Sequence, residues 1–169
     1  RNHRRDRTAG CASSTSIAGN QGVAVMWKTV KLVDLCRTLH QGLNTAGEKI
    51  AFVEDGFPII QTRNISEKGI DITSKLKYLS TSDWEKYRKK YKPEVGDVFF
   101  TNIGTIGKTA IVTEEMDYLI HWNIFKIRPD SKLCTPEFLK TYLDYLTAQK
   151  YFQNLQKGGT VNFVTKKMI

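Results

Sequence analysis

The sequence is poor in cysteine: Cys11, Cys36 and Cys134 are an odd set at wide spacing, with no C-x-x-C pair. That pattern excludes a disulfide-stapled secreted scaffold and a cysteine zinc site, and it fits a reduced, cytosolic protein with incidental thiols. No apolar run approaches the roughly 20 residues needed to span a bilayer, and the N-terminus lacks the hydrophobic stretch of a secretory signal. Groups suited to catalysis are equally sparse. There is no H-E-x-x-H, no H-x-E with a later cysteine pair, and no acidic cluster spaced to hold Mg²⁺. His40 approaches a polar turn with no sequence neighbour to act on. His121 and Asp117 would share one face of a strand at a separation too long for a hydrogen bond, so a buried or interface histidine is the better reading.

Acidic side chains are also in deficit, 17 against 26 Lys and Arg, for a net charge of +9. Part of the excess lies in residues 1–26, which start Arg1, Asn2, His3, Arg4, Arg5 without Met and carry no apolar period. We read that segment as a cloning-junction leader and set residues 27–169 apart as one domain. Without its four Arg and one Asp, 22 basic face 16 acidic side chains, still +6. A positive balance of that size favours a polyanionic partner, nucleic acid first among them.

What the sequence does have is a glycine-rich polar turn between two strands, from Gly96 to Val112. Residues 104–109 spell G-T-I-G-K-T, close to a phosphate loop. That loop needs a glycine five places before Gly107, where Asn102 stands, and a helix after the lysine. The β-branched run from Thr109 to Val112 reads as strand instead. The turn is therefore either a hairpin with glycines for geometry alone, or a loop presenting Thr101, Asn102, Thr105, Lys108 and Thr109 to a large ligand.

Elsewhere the pattern alternates between short strands and two helices. Residues 27–39 suit an entry strand or helix before a polar turn at 41–47, and 57–60 read as a buried strand. Residues 70–73 and 76–79 are short alternating pieces, 118–129 one long strand, and 160–169 a final strand. A helix is expected after Ser80, capped by Thr81 or Ser82 and ended by Pro93. A second opens at Thr135 and Pro136, repeats apolar residues at 138, 139, 142, 143, 146 and 152, and runs toward Gly158. The fold class this predicts is α+β: a single domain with a twisted antiparallel or mixed sheet and few helices.

Four strand ends finish in nucleic-acid chemistry. Gln61, Thr62, Arg63 and Asn64 supply the amide and guanidinium types that pair with base edges. Asn102, Thr105, Lys108 and Thr109 form a second cluster, and Asn123 follows His121 and Trp122. Thr160, Asn162 and Lys166 lie beyond two glycines that would let backbone approach phosphate. One such cluster is ordinary loop composition; four in a small basic domain point to loops facing DNA. The strongest expectations are Gln61, Arg63, Asn64, Asn102, Thr105, Lys108, Asn162 and Lys166. A rival reading is a metal-dependent nuclease using Glu48, Glu54 and Asp55, and a third is a protein-binding module whose basic helix 82–92 grips an acidic partner.

These clusters, in this order, resemble the target-recognition domain of type I restriction–modification specificity subunits. The resemblance is carried by Trp27 to Leu32, Gly56 to Ile65, Gly96 to Val112, Asn123 to Pro129 and Gly158 to Thr165, and spans residues 27–169. It implies the DNA methylase specificity-domain fold and a cytoplasmic, non-catalytic protein that reads part of a two-part target in double-stranded DNA. Its implied partners are a methyltransferase subunit, a restriction subunit and a second recognition domain with which it could pair. No cofactor is implied for the chain itself, since S-adenosylmethionine, ATP and Mg²⁺ belong to those partners, and no membrane is involved.

Overall fold

The computed structural model describes residues 29–155 and 163–169. The expected leader, residues 1–26, lies outside them, as do Thr160 and Asn162. The chain is α+β, as the pattern of short strands and sparse helices implies, but the strands are shared among three sheets. A 3-10 turn at Leu32–Leu35 leads into β1 (Cys36–Gln41), so the entry segment holds both a helical turn and a strand. β2 (Phe57–Ile60), β3 (Ile65–Ser66), β4 (Gly69–Ile70) and β5 (Lys77–Leu79) follow. The helix α1 (Thr81–Tyr91) precedes β6 (Val98–Thr101), β7 (Thr109–Ile111), β8 (Leu119–Ile120) and β9 (Ile124–Pro129). The chain then forms α2 (Pro136–Ala148) and the single turn α3 (Tyr151–Asn154).

The four-stranded sheet runs β1-β9-β6-β7 and is antiparallel throughout. A mixed sheet runs β5-β2-β8, with β2 and β8 parallel, and β3 and β4 form a small hairpin. β6 is central and buried on both faces, which is why its sequence is continuously apolar rather than alternating. Val98 and Phe100 face α2 with Phe125, Ile127, Leu139, Leu143 and Phe152. Phe99 faces the opposite way, into a cluster with Ile60, Ile65, Tyr118 and Ile124. Cys36 and Cys134 both contribute to the α2-side core, and burial pushes the Cys36 thiol up to about 11. Cys11 lies outside the described residues.

Four local expectations are corrected. The cap of α1 is Ser80, whose Oγ accepts from Asp83 N at 3.1 Å; in the run Ser80, Thr81, Ser82 the hydroxyl three places before a buriable turn wins. The stretch 118–129 is two strands, because His121, Trp122 and Asn123 form a turn in which Ile124 N donates to His121 O. The second helix does not run on toward Gly158: it stops at Gln149, and Lys150 takes a left-handed φ of 55° before α3. Its start is as read, with Thr135 Oγ1 accepting from Phe138 N and Pro136 in the first turn. In the tail, Phe163 makes only an isolated bridge with Ile103, and residues 166–168 turn, so the described part is no regular strand.

The end of α1 is tied down by charge. Lys126 on β9 is buried and donates to Lys92 O at 2.8 Å and Lys90 O at 3.3 Å, where the helix exposes its last carbonyls. Burial lowers the Lys126 pKa, and Asp97 opposes that shift. Asp97 is fully buried and takes Arg128 in a bidentate pair, Nε at 2.7 Å and Nη2 at 3.0 Å.

Candidate nucleic-acid interface

Three turns from different strands meet at one open cleft of about 490 Å³, lined by Gln61, Thr62, Arg63, Ile103, Gly104, Thr105, Lys108 and Asn123. The first turn follows β2. Asn64 is buried; its Oδ1 accepts from Gln61 N at 3.1 Å and its Nδ2 donates to Ser74 O at 3.0 Å. Those bonds close the short 3-10 turn Thr62–Asn64 and leave Arg63 exposed. Asn64 is thus the post and Arg63 the group presented. Thr62 Oγ1 is buried without a hydrogen-bond partner among the described residues.

The second turn joins β6 to β7. Thr101 Oγ1 donates to Thr105 O at 2.6 Å and accepts from Lys108 N at 2.9 Å, so one buried hydroxyl staples both sides of the loop. Gly104 (φ 80°) and Gly107 (φ 95°) occupy left-handed conformations. At Gly107 a Cβ would also lie 2.4 Å from Thr147 Cγ2 on α2, so glycine lets the turn approach the helix. Lys108 is followed by strand β7 and not by a helix, which removes the phosphate-loop geometry. Asn102 is buried: its backbone N donates to Asn123 O, its O accepts from Val164 N, and its Nδ2 reaches Val164 O at 3.4 Å. It ties the second turn to the third and to the tail.

The third turn is 121–123. His121 N donates to Ile60 O at 2.9 Å, holding it beside the end of β2. Asn123 Oδ1 lies 2.9 Å from His121 Nδ1, which therefore carries the proton, while Nε2 lies 3.2 Å from Thr45 Oγ1. This leaves the amide NH₂ as the group Asn123 can offer a ligand. Burial lowers the His121 pKa, with the Asn123 bond opposing and Lys77 and Arg63 reinforcing. His40 is also lowered, by burial first and then by Lys166, Lys126, Lys90 and Arg128. Between the ordinary histidine pKa of about 6.5 and these lower folded values, the unfolded chain binds more protons. Stability should therefore be level above pH 6.5 and fall as pH drops below it. Urea midpoints from pH 8 to pH 5 check this; a rise toward acid contradicts it.

Six of the expected residues, Gln61, Thr62, Arg63, Thr105, Lys108 and Asn123, thus line the same cleft, with no acidic residue in its walls among the described residues. Asn64 and Asn102 stand behind it as buried struts. Thr109 is also buried, its Oγ1 donating to Asp144 of α2, and it lines a neighbouring cleft of about 670 Å³ with Lys140 and Thr147. Lys166 is exposed on the side of His40 and does not line the cleft. Ile103 and Gly104 do line it, though they carry no polar side chain for sequence reading to single out. Glu48 is engaged by the Tyr87 hydroxyl and Asp55 by Gly56 N, and among the described residues no three His, Cys, Asp or Glu gather to hold a metal. Nor is any described helix long and apolar enough to cross a membrane.

The sheets, the helices and the cleft define a small α+β domain whose strand-end turns come together on one face. The model of the type I restriction modification DNA specificity domain matches residues 24–169, and the chain belongs to that family. The specificity subunit of the type I restriction enzyme EcoBI of Escherichia coli is 25% identical over 126 residues, 75% of this chain and 26% of that subunit. The fold is shared with the HsdS subunit from Thermoanaerobacter tengcongensis: TM-score 0.55, 19% identity, 88% of this chain and 32% of that one. It is shared as well with a chain from a structure of the type I restriction–modification system solved to explain complex assembly and conformational transition. There the TM-score is 0.57 at 20% identity, over 88% of this chain and 33% of that one. The chain spans about a quarter to a third of the length of these relatives.

Proposed function

We propose that this chain reads a short run of base pairs in double-stranded DNA, as one recognition domain of a type I specificity subunit, and catalyses nothing itself. The observation that carries the reading is the convergence of Gln61, Arg63, Thr105, Lys108 and Asn123, from three separate turns, on one cleft without acidic walls. Arg63 is the candidate for the two acceptors of a guanine edge, Gln61 carries the amide chemistry that suits adenine, and Asn123 offers its NH₂ as a single donor to a base-edge acceptor. Lys108 neutralises phosphate and sets register. Asn64, Asn102 and Thr109 act by holding the loops, and Thr160, Asn162 and Lys166 extend the contact. Methylation and cleavage fall to separate methyltransferase and restriction subunits in the cytoplasm, which bring their own cofactors. A second recognition domain would supply the other half of a two-part target.

The test is titration of the purified chain with duplex DNA across salt concentrations. Lys108→Ala should lower the slope of log K against log salt by about one unit. An unchanged slope removes Lys108 from the interface; cleavage of the duplex with added Mg²⁺, lost on a single carboxylate change, replaces the reading with a nuclease.

A further inference from the structure

The turn that carries Asn123 also presents Trp122, 39% exposed in the folded chain. Its backbone is held from both sides: N donates to Leu43 O at 2.9 Å, and O accepts from Gln41 Nε2 at 2.7 Å. The residues around it are fixed too, His121 N on Ile60 O and Ile124 N on His121 O. The indole is therefore displayed from a fastened turn beside a cleft residue. Trp84 shows the alternative fate of this side chain: it is 4% exposed and stacks on Phe57 at a centroid distance of 4.5 Å. Trp122 stacks on no aromatic ring among the described residues. On the C-terminal segment, Phe163 is 48% exposed and forms a bridge with Ile103, itself a cleft residue; its neighbour Val164 is bonded to Asn102.

Two exposed aromatics thus sit next to cleft residues on different segments, each with its backbone tethered. Polar readers alone leave the apolar parts of DNA unaddressed: deoxyribose, the thymine methyl, and base faces opened at a deformable step. A ring with two side-chain torsions covers such surface at small entropic cost, and aromatic wedges and stacking platforms are established ways of gripping DNA. We propose that Trp122, aided by Phe163, forms an aromatic rim that packs against apolar DNA surface at the edge of the reading cleft. This inference rests on the DNA-recognition reading above. Because a ring displaces no phosphate counterions, the affinity it adds is insensitive to salt, unlike that of Lys108.

The experiment uses the full chain and the tightest duplex selected by the parent from a random pool. Trp122→Ala should bind roughly 5- to 100-fold more weakly, the range of lost aromatic–base contacts, with an unchanged salt slope, while Trp122→Phe stays close to the parent. Phe163→Ala should lose less. As a readout independent of the variants' folding, a Trp27→Phe background leaves Trp84 and Trp122 to report; duplex should shield the exposed indole from iodide quenching. Parent-like affinity of Trp122→Ala where Arg63→Ala fails overturns the rim and leaves recognition standing. So does a loss that tracks salt, or an indole quenched equally with and without duplex. Absence of binding to any duplex by the parent overturns recognition itself, and the rim with it.

Discussion

Asp97→Ala is expected to be the most damaging single change in the fold, lowering the unfolding free energy by about 3–5 kcal/mol, the usual cost of breaking one side of a buried ion pair. Asp97 is fully buried, and its two oxygens take Arg128 Nε, Arg128 Nη2 and the Glu94 backbone N within 3.0 Å. Without the carboxylate, Arg128 keeps among the described residues only Glu94, a largely exposed partner at 2.7 Å. Lys126, itself buried and held to the carbonyls at the end of α1, loses the acid that supports its charge. The damage therefore spreads from the start of β6 to the seat of α1. Urea denaturation reads it as a lower midpoint at constant m-value. A loss under about 1 kcal/mol would place the pair with solvent-exposed ion pairs, which contribute little.

Arg63→Ala should leave stability nearly untouched and weaken binding to the correct duplex by about 1–3 kcal/mol, relaxing one base position. Arg63 is exposed on a turn whose shape depends on its neighbour, not on itself. Asn64→Ala should behave in the opposite way. It removes the bonds to Gln61 N and Ser74 O, lowers the melting temperature, and weakens all sequences together because the whole turn shifts. Binding measured against a set of single-base variants of the target separates the two. A uniform loss for Arg63→Ala would make it a phosphate contact, and base-selective loss for Asn64→Ala would make the buried amide a reader.

The difference between those two residues shows where sequence reading stops. The amide of Asn64, the guanidinium of Arg63 and the amide of Asn102 look alike as donors beside a strand end, and nothing in the one-dimensional pattern says which turns inward. Thr109 was hidden for the same reason: its partner Asp144 lies 35 positions away. What was legible is local. Thr135 and Pro136 mark a helix start through cap chemistry, and the β-branched run after Lys108 excludes a phosphate loop through its period. The buried run of β6 was visible as apolar content. The break at 121–123 was not, because His121, Trp122 and Asn123 carry no turn residue stronger than asparagine, and the turn is imposed by bonds to Ile60, Leu43 and Thr45. The α2 helix misleads in a different way: Phe138 and Tyr142 fit its apolar period yet remain exposed, since only Leu139 and Leu143 are buried against the sheet. That several polar strand ends belong together was read from their number, whereas their meeting at one cleft depends on strand order.

Selection of bound duplexes from a random pool, with the parent chain and Arg63→Ala in parallel, tests the central claim most directly. The account predicts that the parent enriches one short, defined run of base pairs and that Arg63→Ala enriches the same run with one position made degenerate. Recovery of unrelated duplexes by the parent, all held through a salt-sensitive attraction alone, would contradict it.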